Sequence, residues 1–98
     1  MTALSEHARP ALARGVRLRL DRISGKALLL RPEQGFELVG SALAIIRLCD
    51  GQHSIAQIVD ALAVEASGTP RTEIAADVHR LLSDLQRRGV VAVEERAS

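Results

Sequence analysis

Imidazole, thiol and guanidinium groups are the parts of this sequence with the most evident chemical use. It contains three histidines, His7, His53 and His79, and a single cysteine, Cys49. No histidine stands at a metal-ligand spacing from another or from Cys49. His7 falls in the N-terminal stretch, His53 in a loop after Gly51-Gln52, and His79 beside Val78 on a helix, so each reads as a solvated or partly packed imidazole. Cys49, between Leu48 and Asp50, has no cationic neighbour or base to lower its pKa and reads as a small buried hydrophobe near a helix end. There is no glycine-rich phosphate loop and no nucleophile elbow. Asp50-Gly51 stops a helix and does not open a calcium loop, because no alternating acids follow it. These residues indicate no catalytic centre, no metal site and no cofactor.

Binding chemistry is better represented. Arg17 and Arg19 share one face of a strand, since side chains two apart point the same way, and Arg22, Lys26 and Arg31 lie close by. Such a basic hairpin could meet phosphate, or could be a solvated outer face that discourages sheet-to-sheet association. Two consecutive helices later in the chain could form a helix-turn-helix pair, which makes a small winged-helix DNA-binding protein the alternative reading. The would-be recognition helix opposes it. Its first turns carry Arg71, Glu73, Asp77 and Arg80, and the two acids would be repelled by phosphates. A second binding feature is the short segment Phe36-Glu37-Leu38-Val39. As the outer strand of a sheet beside an apolar helix stripe, it would offer free backbone donors and acceptors for peptide binding by strand addition. Its shortness, Glu37 and the following Gly40 could equally blunt that edge.

The elements that position these residues follow from periodicity. The chain has 98 residues, one domain's worth, with 13 Lys and Arg against 12 Asp and Glu. One aromatic ring, Phe36, is too few for an aromatic cage or a base-stacking platform. Residues 1–14 read as a flexible lead-in, 15–93 as a single domain and 94–98 as a tail. Residues 16–21 alternate apolar with charged side chains, the period of a strand with one wet face. Residues 27–31 are more evenly apolar and read as the central strand. Pro32-Glu33-Gln34-Gly35 has the chemistry of a four-residue turn, leading into the third strand at 36–39.

The period then changes to that of helices. Ser41 can cap a first helix running to about Cys49. Ser54 and Gln57 fit a capping box before Ile55, Ile58, Val59, Leu62 and Ala66. A longer third helix carries the stripe Ile74, Val78, Leu81, Leu82 and Leu85, ending at Gly89. Its outer face pairs Asp77 with Arg80, and Asp84 with Arg87 and Arg88. Residues 90–93 form a short final strand or an extended tail. The expected fold is α+β: a three-stranded antiparallel sheet followed by a three-helix bundle. The near-neutral total conceals a division. Residues 9–31 hold seven cations and one acid, and residues 32–98 six cations and ten acids. The apolar runs 27–30 and 42–46 are far shorter than the about 20 residues of a membrane span. Residues 1–14 have no signal-peptide core, so the expected location is cytoplasmic. An exposed edge and the apolar stretch 90–93 could support a homodimer across a two-fold axis.

Taken together, residues 13–21, 28–33 with Gly35, 41–51 and 54–59 resemble the pyrroloquinoline quinone (PQQ) biosynthesis protein D family, PqqD. The most specific piece is Leu48-Cys49-Asp50-Gly51 with the helix start Ile55-x-x-Ile58-Val59 behind it. The resemblance implies a winged-helix-like RiPP recognition element, a peptide chaperone without catalysis, metal or cofactor. It implies that the domain binds the precursor peptide PqqA and presents it to the radical SAM enzyme PqqE, with no nucleic acid and no membrane involved. The matching positions for the peptide are Phe36, Glu37, Leu38 and Val39 on the third strand, with Arg71, Ile74, Asp77, Val78 and Leu81 on the third helix. One stripe cannot both fill the interior and line an open groove, so part of that apolar set belongs to the core.

Overall fold

The computed structural model describes residues 4–94. The strands β1 (Arg9–Leu12), β2 (Arg17–Leu20), β3 (Ala27–Arg31) and β4 (Gln34–Leu38) come first. The helices α1 (Ala42–Arg47), α2 (Ile55–Glu65) and α3 (Arg71–Arg87) follow, and β5 (Val91–Glu94) closes the described chain. β2, β3 and β4 form a three-stranded antiparallel sheet in that order, as the sequence indicates. β1 and β5 form a separate antiparallel pair, Arg9 opposite Glu94 and Leu12 opposite Val91.

That second pair corrects the reading of residues 1–14 as a flexible lead-in. Ala8 and Pro10 are buried. The carbonyls of Ala8 and Glu6 accept from the Ile55 and Ala56 amides, each at 2.9 Å, and the Pro10 carbonyl accepts from Gly51 at 3.0 Å. The first amides of a helix have no partner within it. Here the N-terminal segment supplies acceptors for two of them. The Ser54 hydroxyl accepts from a third, Gln57, at 3.1 Å, while the Gln57 side chain accepts from the Ser54 amide at 2.8 Å to complete the capping box. β1 lacks a period-two signal because its partner β5, at the far end of the chain, and the Asp50-Gly51 loop define it. The folded unit therefore begins before residue 15, and Glu94 belongs to β5. Residues 95–98 of the expected tail lie outside the described residues.

The turn between β3 and β4 is also tighter than its residues suggest. Arg31 pairs directly with Gln34, leaving Pro32-Glu33 as the connection, with Glu33 at φ 66°. Gly35 is a strand residue opposite Leu30, and a Cβ there would stand 3.2 Å from Leu30 Cδ2. Glycine serves close cross-strand packing at this position rather than turning the chain. β4 accordingly spans 34–38 and Val39 lies beyond it. α1 is a shorter helix than the expected Ser41-to-Cys49 element, and the Ser41 side chain makes no capping hydrogen bond.

The core lies between the sheet and the helices. Leu29 of β3, Ile45 of α1, Ile55 and Ile58 of α2, and Val78 and Leu82 of α3 are among its fully buried side chains. The apolar stripes of α2 and α3 therefore face inward. The acid–base pairs of α3 lie outside: Asp77–Arg80 at 3.2 Å, Asp84–Arg87 at 3.3 Å and Asp84–Arg88 at 3.0 Å. Exposed pairs of this kind contribute only about 0–1 kcal/mol each. Aliphatic burial is the main stabilising term.

Candidate functional site

The strand order leaves β4 at an edge. Which of its backbone groups are free follows from alternation in an antiparallel ladder. At the other side of β3, the Asp21 amide donates to the Lys26 carbonyl at 2.8 Å, so Asp21–Lys26 is a hydrogen-bonded pair. Two residues further along, Leu28 and then Leu30 direct their backbone groups to β2. Ala27, Leu29 and Arg31 direct theirs to β4, where they meet Leu38, Phe36 and Gln34. The N–H and C=O groups of Gly35 and Glu37 are then left for the open edge.

Side chains alternate as well. Phe36 and Leu38 are partly buried and packed against the core, while Glu37 is exposed and lies 3.8 Å from Lys26. An open groove of about 470 Å³ separates β4 from α3. Phe36, Leu38 and Val39 line it on one side, and Leu81, Asp84 and Arg88 on the other. Its outer end is braced around the Phe36 ring. The guanidinium carbons of Arg31 and Arg88 stand 6.0 and 5.6 Å from the ring centre, within cation–π range. Arg31 also donates to the Arg88 carbonyl at 2.9 Å and to the Gln34 side chain at 2.7 Å. A cation is thus held at the C-terminal, negative end of the α3 dipole, and it ties the β3–β4 hairpin to that end.

The structure brings Phe36, Glu37, Leu38, Val39 and Leu81 together around one groove. Ile74, Asp77 and Val78 lie elsewhere, lining a depression between α1, α2 and α3. Ile74 and Val78 are core side chains, with Val78 fully buried. Arg71 reaches α2, donating to Asp60 Oδ1 at 2.7 and 3.0 Å, and so braces two helices. Sequence reasoning passed over Asp84, Leu85 and Arg88 as groove residues. Their acid–base spacing and apolar stripe signalled a wet face and a core. Only the placement of β4 against them reveals the groove.

The other reactive groups have structural settings. His53 Nδ1 meets Asp50 Oδ1 at 2.9 Å, and the Gln52 amide donates to the same oxygen at 2.8 Å. These bonds, the His53 contact first, hold the Asp50 carboxyl below its usual range. In the β2–β3 turn the Ser24 hydroxyl and then the Ile23 amide do the same for Asp21. Burial, and secondarily Asp50, pushes the Cys49 thiol up to about 12. Its Sγ donates to the Ile45 carbonyl at 3.3 Å, so it is a packed side chain and no nucleophile. Among the described residues, no group of three His, Cys, Asp or Glu side chains could hold a metal ion, and no helix is long and apolar enough to cross a membrane.

Comparison with known proteins bears on what such a groove is for. Residues 26–91 match the family described as coenzyme PQQ synthesis protein D (PqqD). A Rhodopseudomonas palustris (strain HaA2) protein named PqqA binding protein is 39% identical over 87 residues, 89% of this chain and 84% of that one. The bifunctional coenzyme PQQ synthesis protein C/D of Methylorubrum extorquens is 38% identical over 90 residues, which are 92% of this chain but only 24% of that protein. Among solved structures, the PqqD truncation of Methylobacterium extorquens PqqCD superposes with a TM-score of 0.70 at 36% identity, covering 85% of this chain and 87% of that one. That protein is described as a functional, stand-alone RiPP recognition element.

Proposed function

The chain belongs to the PqqD family, and on that premise we propose that it is a non-catalytic peptide chaperone of PQQ biosynthesis that binds the precursor peptide PqqA. The peptide adds as a strand to the open edge of β4, bonding to the outward groups of Gly35 and Glu37. Its side chains on the inner face enter the groove against Leu81, Asp84 and Arg88. Phe36, Glu37, Leu38, Val39 and Leu81 are the docking residues. Of the other positions implied by the family resemblance, Arg71 acts as a brace between helices. The observation that carries this reading is an edge strand with unused backbone groups directly beside an open groove.

The mechanism is physical rather than chemical. Backbone bonds fix register with little demand on sequence, and the groove side chains select among peptides. The arrangement of sheet and helices serves as a winged-helix-like platform in which the helices back the docking edge. Presenting the peptide to the radical SAM enzyme PqqE raises the effective concentration of substrate at that enzyme, so the domain assists catalysis while holding no catalytic residue. Titrating PqqA into isotope-labelled protein is expected to shift the amide signals of residues 34–39 and of α3 around Leu81 to Arg88. Saturating peptide without shifts at β4 overturns the reading.

A further inference from the structure

Three depressions share residues and run into one another along α3. The groove beside β4 shares Leu81 and Asp84 with a second depression, which Ser41, Asp77 and Arg80 also line. The second shares Ser41 and Asp77 with the third, a pocket of about 320 Å³ between α1, α2 and α3. Buried Ile45, Ile74 and Val78 belong to this third pocket. Ala44 and Ala66 stand in its lining where larger side chains would close it. Glu65 and Asp77 are its charged lining residues. Asp77 is already paired with Arg80 at 3.2 Å, which among the described residues leaves Glu65 as the lining carboxylate without an ion pair. The volume is at the lower end of the ~300–1,000 Å³ typical of ligand pockets, which suits a single large apolar side chain.

We infer that this pocket is a second subsite for the peptide bound at β4, taking an apolar side chain whose neighbour is a lysine or arginine facing Glu65. The inference rests on strand addition at β4. The spacing follows from helix geometry. From Leu81 back to Ile74, α3 advances by about 10 Å at 1.5 Å per residue. An extended peptide covers that in about three residues. The anchor therefore lies about three residues beyond the segment paired with β4, on the side where the chain leaves β4 through Val39 and Gly40 into α1. Backbone pairing alone accepts many peptides. A pocket at a fixed distance from the paired segment adds a requirement for one side-chain type at one position, with the acidic lining selecting its neighbour.

The test uses methyl-labelled wild-type protein with synthetic PqqA. Expected are amide shifts at residues 34–38, together with nuclear Overhauser contacts from an apolar peptide side chain to the methyl groups of Ala44 and Ala66. Ala44→Leu fills the pocket from a helical position where leucine is a good helix former. It is expected to weaken binding about tenfold, the scale on which loss of one buried aliphatic side chain acts, while the shifts at 34–38 persist at saturation. Replacing the peptide's anchor residue by alanine should cost wild type a similar factor and Ala44→Leu little more. Shifts at β4 without contacts to the Ala44 and Ala66 methyls overturn the second subsite and leave strand addition standing. Absence of shifts at β4 overturns strand addition and the subsite with it.

Discussion

Glu37→Pro separates binding from folding at the β4 edge. The Glu37 amide points away from β3, so proline at this position removes no ladder bond, and edge strands accept proline where the N–H would face solvent. The native state loses chiefly the contact with Lys26, a 3.8 Å pair whose side chains are 57% and 45% exposed. That costs about 0–1 kcal/mol. Phe36→Pro is the opposite case: it removes an amide bonded to β3 and the ring held by Arg31 and Arg88, and its cost is about 3 kcal/mol or more. For the peptide the order reverses. Glu37→Pro deletes a donor worth about 0.5–1.5 kcal/mol and places ring bulk where the incoming backbone must approach. The combined loss is about 1–3 kcal/mol, or roughly 5- to 150-fold in Kd. Urea unfolding measures the first quantity, and calorimetric titration with PqqA the second. Equal destabilisation by both prolines would refute the assignment of free backbone groups. A stable Glu37→Pro protein that binds PqqA as wild type does would refute strand addition at this edge.

Other perturbations probe the scaffold and its titrating groups. Arg31→Met, which removes the bonds to the Arg88 carbonyl and the Gln34 side chain, should lower stability by about 1–3 kcal/mol and raise amide exchange through β4, as read by hydrogen–deuterium exchange. Leu82→Ala, at a fully buried position, should cost about 2–5 kcal/mol and lower Tm by roughly 4–8 °C per kcal/mol. Cys49, with its thiol raised to about 12, should resist a thiol reagent near neutral pH and react once urea unfolds the protein; rapid modification of the native state would contradict its packed setting. Asp21 and Asp50 both have folded pKa values below 3.8. Their contribution to stability is present above that value and is lost as pH falls through it toward the folded pKa, because the unfolded chain binds protons first. The double variant Asp21→Asn, Asp50→Asn should therefore show a shallower stability loss than wild type as pH is lowered from about 5 to about 2.5.

Elements whose partners are near in sequence, or whose own period is strong, were legible without a structure. The Ser54–Gln57 capping box, the apolar stripe of α3 and the alternation of residues 17–20 each encode their conformation locally, and each is found. β1 was not legible, since its strand character comes from pairing with β5 and from the bridge to Asp50. Gly35 misled for a physical reason: glycine marks turns through backbone freedom, but here it makes room for Leu30. At the candidate site, the four residues from Phe36 to Val39 could be located because an edge strand following a tight hairpin has sequence markers. The α3 side could not. Leu81 lines the groove beside β4 while Ile74 and Val78 line a different depression, although all three lie on one apolar stripe. The choice depends on how a 17-residue helix crosses the sheet, which no periodicity specifies. Asp84 and Arg88 illustrate the same limit, with a spacing that reads as surface charge wherever the helix lies.

The pairing of β1 with β5 has a consequence for assembly. It sets Arg9 beside Glu94, so the start of β1 lies next to the end of β5, and no residue of either strand lines the groove at β4. A second domain joined by a linker after β5 can therefore be tethered without covering the edge proposed for docking. In the relative from Methylorubrum extorquens the matching region is 24% of a longer protein. The module is in this sense a portable handle. On the proposed reading the β4 edge is the working face, and what is joined to the β1–β5 ribbon can vary without redesigning that edge.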